Sequence, residues 1–189
     1  MSPLKQYVAD AIRTESHISR VQSDIPTLIV AMKAYVAAGN MLDDIKKNVF
    51  YGKEINPEKW SYQLQELKLA EQKIPAVLGE QSVAGIDINP RLFHAIIGIA
   101  TESTELVEAV LKSIETGFDI DNVNVQEELG DLNWYQAIAI DASNADWDQI
   151  LETNIAKLKH RYPEKFTADK AINRDLHIER NILEDGLEY

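Results

Sequence analysis

His94-Ala95-Ile96-Ile97-Gly98-Ile99-Ala100-Thr101-Glu102-Ser103-Thr104-Glu105-Leu106-Val107 is apolar around most of a helical circumference and shows no strand-like alternation, so it predicts a largely buried helix. Glu102 and Glu105 stand three residues apart within it, and side chains at that spacing leave one face about one turn apart. The run Glu127-Glu128-Leu129-Gly130-Asp131-Leu132 repeats the arrangement with Glu128 and Asp131. A loop near Asp119 to Asn124 lies between, short enough for the two helices to fold back antiparallel. Four carboxylates can then meet between two helices. Such a cluster repels itself unless it is protonated or neutralised by cations, and an all-oxygen donor set suits magnesium or manganese better than zinc. Leu129, Leu132, Trp134 and Ile138 make the second helix equally apolar, which sets the acids near a core, where buried charge requires a partner. Gly130 should cost a helix interior about 1 kcal/mol relative to Ala. It reads either as a close approach of another helix or ligand, or as a tolerated glycine.

The same helical periodicity extends outward along the chain and predicts an all-α fold. Candidate helices are Pro3 to Thr14, Ile25 to Phe50, Pro57 to Leu78, Pro90 to Thr116, Val125 to Asn144, Trp147 to Tyr162 and a weaker one near Asn173 to Leu183. Pro57 and Pro90 suit helix N-termini, where a missing N–H costs little, and Pro163 stops the sixth helix. Gly, Ser and Asp gather in 79–89 without an apolar face, which predicts a hinge. The expected organisation is therefore an N-terminal helical part at 1–78, a linker at 79–89, helices carrying the acids at 90–162 and a tail with a short helix at 163–189. The run from Asn40 to Asn56 can be laid on Glu105 to Asp121, with Gly52 on Gly117, and it places Ala37 and Asn40 where Glu102 and Glu105 stand. Either two amphipathic helices ending in glycine coincide, or the N-terminal pair is a duplicated hairpin that has lost its acidic pair.

Composition narrows the function classes. The chain has 189 residues, a formal net charge of −12 and no cysteine, so disulfides, thiolate metal sites and cysteine nucleophiles are excluded. Without a Lys/Arg block, the charge argues against a nucleic acid polymer as partner. Met1 to Arg13 lacks the basic start and apolar run of an export signal, and no apolar stretch approaches the roughly 20 residues needed to cross a bilayer. The expectation is a cytoplasmic protein with no membrane partner.

Asn154, Lys157 and Arg161 follow an i, i+3, i+7 spacing and form one polar, basic stripe. It reads as phosphate-binding or as a helix C-terminus made basic to complement its macrodipole. His94 lies along the Glu102/Glu105 stripe, and Trp134 and Tyr135 follow Asp131 by about one turn. They read as a base pocket or as core packing.

His94 to Leu106, Glu127 to Tyr135, Asn154 to Phe166 and Asn173 to Arg180 together resemble, in order, successive segments of the MazG-like all-α nucleoside triphosphate pyrophosphohydrolases. That superfamily also includes dimeric dUTPases and dCTP pyrophosphatases, and the resemblance covers roughly Arg91 to Leu183. There are departures. The Lys-Lys…Phe-Tyr-Gly run that many relatives carry after the first acidic pair appears upstream as Lys46 to Gly52, while Lys112-Ser-Ile-Glu-Thr-Gly117 occupies the usual place. Asn133 replaces an aliphatic residue, and Ser103-Thr104 replace Ala-Gly.

The resemblance implies an antiparallel helical bundle with an added N-terminal helical pair, assembled as a homodimer or homotetramer. It implies two or more Mg2+ ions, with Mn2+ as a substitute, held by Glu102, Glu105, Glu128 and Asp131, and a nucleoside triphosphate cut to monophosphate and pyrophosphate. Glu105 or Glu128 would orient the attacking water or take its proton. Lys157, Arg161, Asn154 and Lys112 would hold phosphate oxygens, and His94, Trp134, Tyr135 and Tyr162 would contact base or sugar. The matched segments lean toward purine deoxynucleotides such as dGTP, while dUTP, dCTP and damaged nucleotides would use the same motifs. A carboxylate-bridged di-iron bundle needs Glu-x-x-His pairs, and no Glu here is followed three residues later by His. An inactive nucleotide-binding or scaffolding relative is the remaining rival, which metal-dependent turnover would separate.

Overall fold

The computed structural model describes residues 1–80 and 83–185, apart from the side chains of 75–80. Eight α-helices run through the described residues: α1 (Pro3–Ala11), α2 (Ile25–Tyr51), α3 (Pro57–Glu80), α4 (Pro90–Thr116), α5 (Asn122–Ala142), α6 (Trp147–Arg161), α7 (Ala168–Ile172) and α8 (Leu176–Asp185). A 3-10 turn, Ile12–Thr14, extends α1. The helical expectation holds for most of the chain, with one correction. Two strands, β1 (Val21–Asp24) and β2 (Val83–Ile86), pair as a two-stranded sheet. Each is four residues long, too short to print an alternation. β2 falls inside the expected hinge, of which residues 81 and 82 lie outside the described residues.

The chain folds into two compact units that interleave in sequence. One holds Met1–Val21 and Ile86–Glu152; the other holds Gln22–Gly85 and the chain from Thr153 on. This grouping differs from the linear division read from the sequence. The reason is that α1 packs on α5, far from it in sequence.

In the first unit α4 and α5 form a hairpin. Asn89 caps α4 by accepting from the Arg91 and Leu92 amides at 3.0 and 3.3 Å, and Asp121 caps α5 by accepting from Val123 and Asn124 at 3.0 and 3.3 Å. Such caps satisfy helix-end donors that have no partner inside the helix. The Asp121 cap starts α5 earlier than the apolar pattern suggests. Ala11, Ala137 and Trp147 form the core, with Leu4, Val8, Trp134 and Ile140 packed against them. Glu15, buried at the end of the α1 segment, receives Arg91 Nη2 at 2.7 Å, and the same guanidinium reaches Asp141 at 2.7 Å.

In the second unit α2 and α3 form another hairpin. Only Val30, Ala37 and Asp44 of α2 are buried, a heptad-spaced line facing α3. Much of the remaining circumference is apolar and exposed, with Val49 at 67% and Phe50 at 72%. An 18-residue window of α2 has mean hydropathy 1.4 and at most 2 charged residues, so α2 is long and apolar enough to cross a membrane by length and composition. This corrects the expectation that no such stretch exists. Lys33 and Asn40 interrupt the apolar run without lowering its average below that mark. Further along, Glu179 on α8 is buried and receives Arg161 at 2.6 and 2.7 Å and Arg174 at 2.5 Å. Hydrogen bonds from Arg174 and then Arg161 hold its carboxyl down at about 2.

Candidate functional site

Glu102 and Glu105 project from α4 and Glu128 from α5. One carboxylate oxygen from each lies within 4.8 Å of the other two. Burial is graded across the cluster: Glu128 is 5% exposed, Glu102 half-buried and Glu105 exposed. Asn124, one turn earlier on α5, donates from Nδ2 to Glu128 Oε1 at 2.7 Å. That bond fixes the buried carboxylate and leaves its other oxygen for the space between the helices.

The electrostatics are those of a cluster without its counter-charge. Burial pushes the Glu102 carboxyl above its ordinary value, helped by the charges of Asp131 and Glu128 and opposed by a hydrogen bond from Thr101. The negative charge of Glu128 pushes Glu105 up, followed by burial and the charge of Glu102. A cation bound there would relieve both. Three carboxylate oxygens held this close fit a hard divalent ion.

Asp131 does not join the other three at this separation. Its charge is felt by Glu102, Tyr7 and Tyr135, so it borders the cluster. Of the aromatic residues singled out, His94, Trp134 and Tyr135 come together: His94 and Tyr135 meet edge to face at 5.4 Å, and Trp134 and Tyr135 at 4.8 Å. Burial, then Glu102 and Asp131, raise the Tyr135 hydroxyl, which ties this group to the acids. Trp134 has a structural task as well. Its indole N–H donates to Ala11 O at 3.2 Å and Thr14 Oγ1 at 2.9 Å, closing the end of the α1 segment.

Lys112 lies on the C-terminal half of α4. It lines a hollow of about 530 Å3 with Phe118, Asp119, Asp121 and Asn124. Asn124, the hydrogen-bond partner of Glu128, also lines this hollow. Asn154, Lys157, Arg161 and Tyr162 belong to the second unit. There Arg161 is committed to Glu179 through two nitrogens and stacks on Tyr162 at 5.6 Å, while Tyr162 packs on Phe166 at 5.3 Å. A guanidinium already forked onto a carboxylate is not a free phosphate fork. The motif reading of Arg161 did not see Glu179, whose burial no local pattern announces.

Residues 94–166 match the family model of the MazG nucleotide pyrophosphohydrolase domain. In this stretch the chain is similar to MazG domains. It begins at His94 and includes all three clustered acids together with Asp131, Lys112 and the basic stripe of α6. No curated protein and no solved structure matches the chain.

Two glycines of the MazG-like stretch exchange roles relative to the sequence reading. A Cβ on Gly98 would sit 2.2 Å from Tyr135 Cδ1 and Cε1, so Gly98 is where the α5 side chain presses on α4. Gly130, the glycine singled out from sequence, has nothing within 4 Å of the same construction. Gly130→Ala is therefore expected to raise stability by about 0.5–1 kcal/mol through helix propensity, read as a higher Tm. If the thermal midpoint falls instead, an unseen close neighbour occupies that face.

Proposed function

We propose that the MazG-like stretch hydrolyses (deoxy)nucleoside triphosphates to monophosphate and pyrophosphate with magnesium. The observation that carries this reading is the Glu102–Glu105–Glu128 cluster inside the family match. Glu102, Glu105 and Glu128, with Asp131 beside them, would hold the cations. When bound, divalent ions supply charge to the phosphate oxygens and lower the pKa of an attacking water.

The chain's own residues do the rest. Asn124 fixes Glu128, so the buried carboxylate keeps one orientation as charge changes nearby. Glu105, the most exposed of the three, is placed to orient the water or accept its proton. Lys112 offers a cation to the pyrophosphate end along the hollow that Asn124 also lines. Tyr135, whose hydroxyl feels Glu102 and Asp131, and His94 against it would serve as a wall for base or sugar. The exposed apolar faces of α2 and of α4, where Ile114 is 75% exposed, suit burial against a second copy, in keeping with a homodimer or homotetramer.

The test is product analysis with each canonical dNTP and several modified ones, in Mg2+ and in EDTA. Monophosphate and pyrophosphate in equal amounts are expected, with turnover abolished by EDTA and purine substrates such as dGTP preferred. Diphosphate with inorganic phosphate, or no turnover by folded, metal-loaded protein, would overturn the reading.

A further inference from the structure

α2 buries one edge and bares the opposite one. Val30, Ala37 and Asp44 are its buried residues, and α3 packs on it within the second unit. Met32, Tyr35, Val36, Leu42, Val49 and Phe50 lie around the far side and are 43 to 72% exposed. An apolar patch of this extent marks a binding surface.

Gly39 sits at the centre of that face. It is exposed, and a Cβ placed on it would meet nothing within 4 Å, so nothing inside the chain calls for a glycine that costs a helix interior about 1 kcal/mol. Gly130 is as open, yet three of its four helical neighbours at three and four residues, Gln126, Glu127 and Asn133, are polar. Those of Gly39 are Tyr35, Val36, Leu42 and Asp43.

The face is symmetric about this glycine. Val36 and Leu42 stand three residues before and after it, Met32 and Lys46 seven, and Leu28 and Phe50 eleven. Two copies of α2 crossing antiparallel at Gly39 would set Val36 on Leu42 and Leu28 on Phe50 twice over, the self-complementarity that an isologous interface requires. A parallel pair would instead set Lys46 on Lys46 and Asp43 on Asp43. With no side chain at the crossing, the two backbones can approach closely.

Charge permits the approach. Copies of a chain with net charge −12 repel each other, but the acid on this face, Asp43, is neutralised within its own copy by Lys46 at 2.7 Å and by Lys47. Six side chains, each baring about half of its surface, offer on the order of 600 Å2, so two copies would bury about 1,200 Å2, the lower end of stable interfaces.

We propose that α2 pairs antiparallel with α2 of a second copy, crossing at Gly39. This pairing lies outside the residues matched to the MazG model and rests on the homo-oligomer reading above, not on turnover.

The test is sedimentation velocity of the full chain across a dilution series, for wild type, Gly39→Leu and Leu42→Glu, with helicity followed by circular dichroism. Wild type is expected to sediment as a dimer or tetramer, and each variant to show half that mass with its helicity kept. Should Leu42→Glu lose helicity, Gly39→Leu, which raises helix propensity, carries the comparison. Disulfide cross-linking reads the direction of the pair, because the chain has no cysteine of its own. Gly39→Cys should join two copies under mild oxidation. Val49→Cys should not, since an antiparallel pair holds those two positions about 30 Å apart, beyond the roughly 7 Å that a disulfide spans. A monomeric wild type would overturn the pairing together with the homo-oligomer reading, and its pelleting with phosphatidylcholine vesicles would assign the face to lipid instead. An oligomer unchanged by both variants, or joined through Val49→Cys as fast as through Gly39→Cys, would overturn the pairing and leave the homo-oligomer reading standing.

Discussion

Glu128→Gln should lower kcat/KM for the best dNTP by about a thousandfold or more while leaving the protein folded. The substitution keeps the shape of the side chain and an oxygen to accept the 2.7 Å hydrogen bond from Asn124, so packing at this buried position survives. What disappears is the negative charge at the centre of the cluster, the charge that most strongly raises Glu105. Without it the cation site loses its deepest ligand, and the largest cause of the raised Glu105 carboxyl is gone. The metal-free variant should melt no lower than wild type, because removing one of three crowded charges relieves repulsion. Kinetics and thermal melting in EDTA read the two effects separately. A variant that melts lower and retains turnover would mean that Glu128 is structural.

Gly98→Ala should be the most damaging small substitution in the α4–α5 hairpin. The new methyl would stand 2.2 Å from two ring carbons of Tyr135 and 2.5 Å from Cγ, contacts the ring cannot escape by a shift of its far end. His94 and Trp134 abut the same ring, so relief requires α5 to move away from α4. Overpacking of this kind costs about 1–3 kcal/mol, more than the roughly 1 kcal/mol gained by replacing a helical glycine. Since Glu102 and Glu105 are on one helix and Glu128 on the other, separating the helices should also weaken metal binding. A lowered Tm that is largely restored in Gly98→Ala/Tyr135→Ala would assign the cost to this contact. An unchanged Tm for the single variant would show that the helices do not meet as described.

Helix placement was largely legible in the sequence because its signals are local. Pro90 and Gly117 bracket α4, and Pro57 and Pro163 mark the start of α3 and the end of α6. The acidic pairs were legible for the same reason, since three-residue spacing fixes a shared face wherever a helix forms. What escaped depends on partners distant in the chain. Gly98 looked like one small residue in an apolar run until Tyr135 was placed against it. Trp134 read as base contact or core packing, and nothing local showed that its N–H closes the α1 segment. Arg161 looked free until the burial of Glu179 supplied its partner. β1 and β2 exist only as a pair, so neither four-residue strand carries enough pattern alone.

The central claim is that Glu102, Glu105 and Glu128 jointly hold a divalent cation, and titration with Mn2+ followed by electron paramagnetic resonance tests it without substrate or product. Wild type should bind Mn2+ saturably in competition with Mg2+, and Glu102→Gln/Glu105→Gln should abolish that binding without loss of helicity. Equal binding by the wild type and the double variant, or none by wild type, would contradict the account.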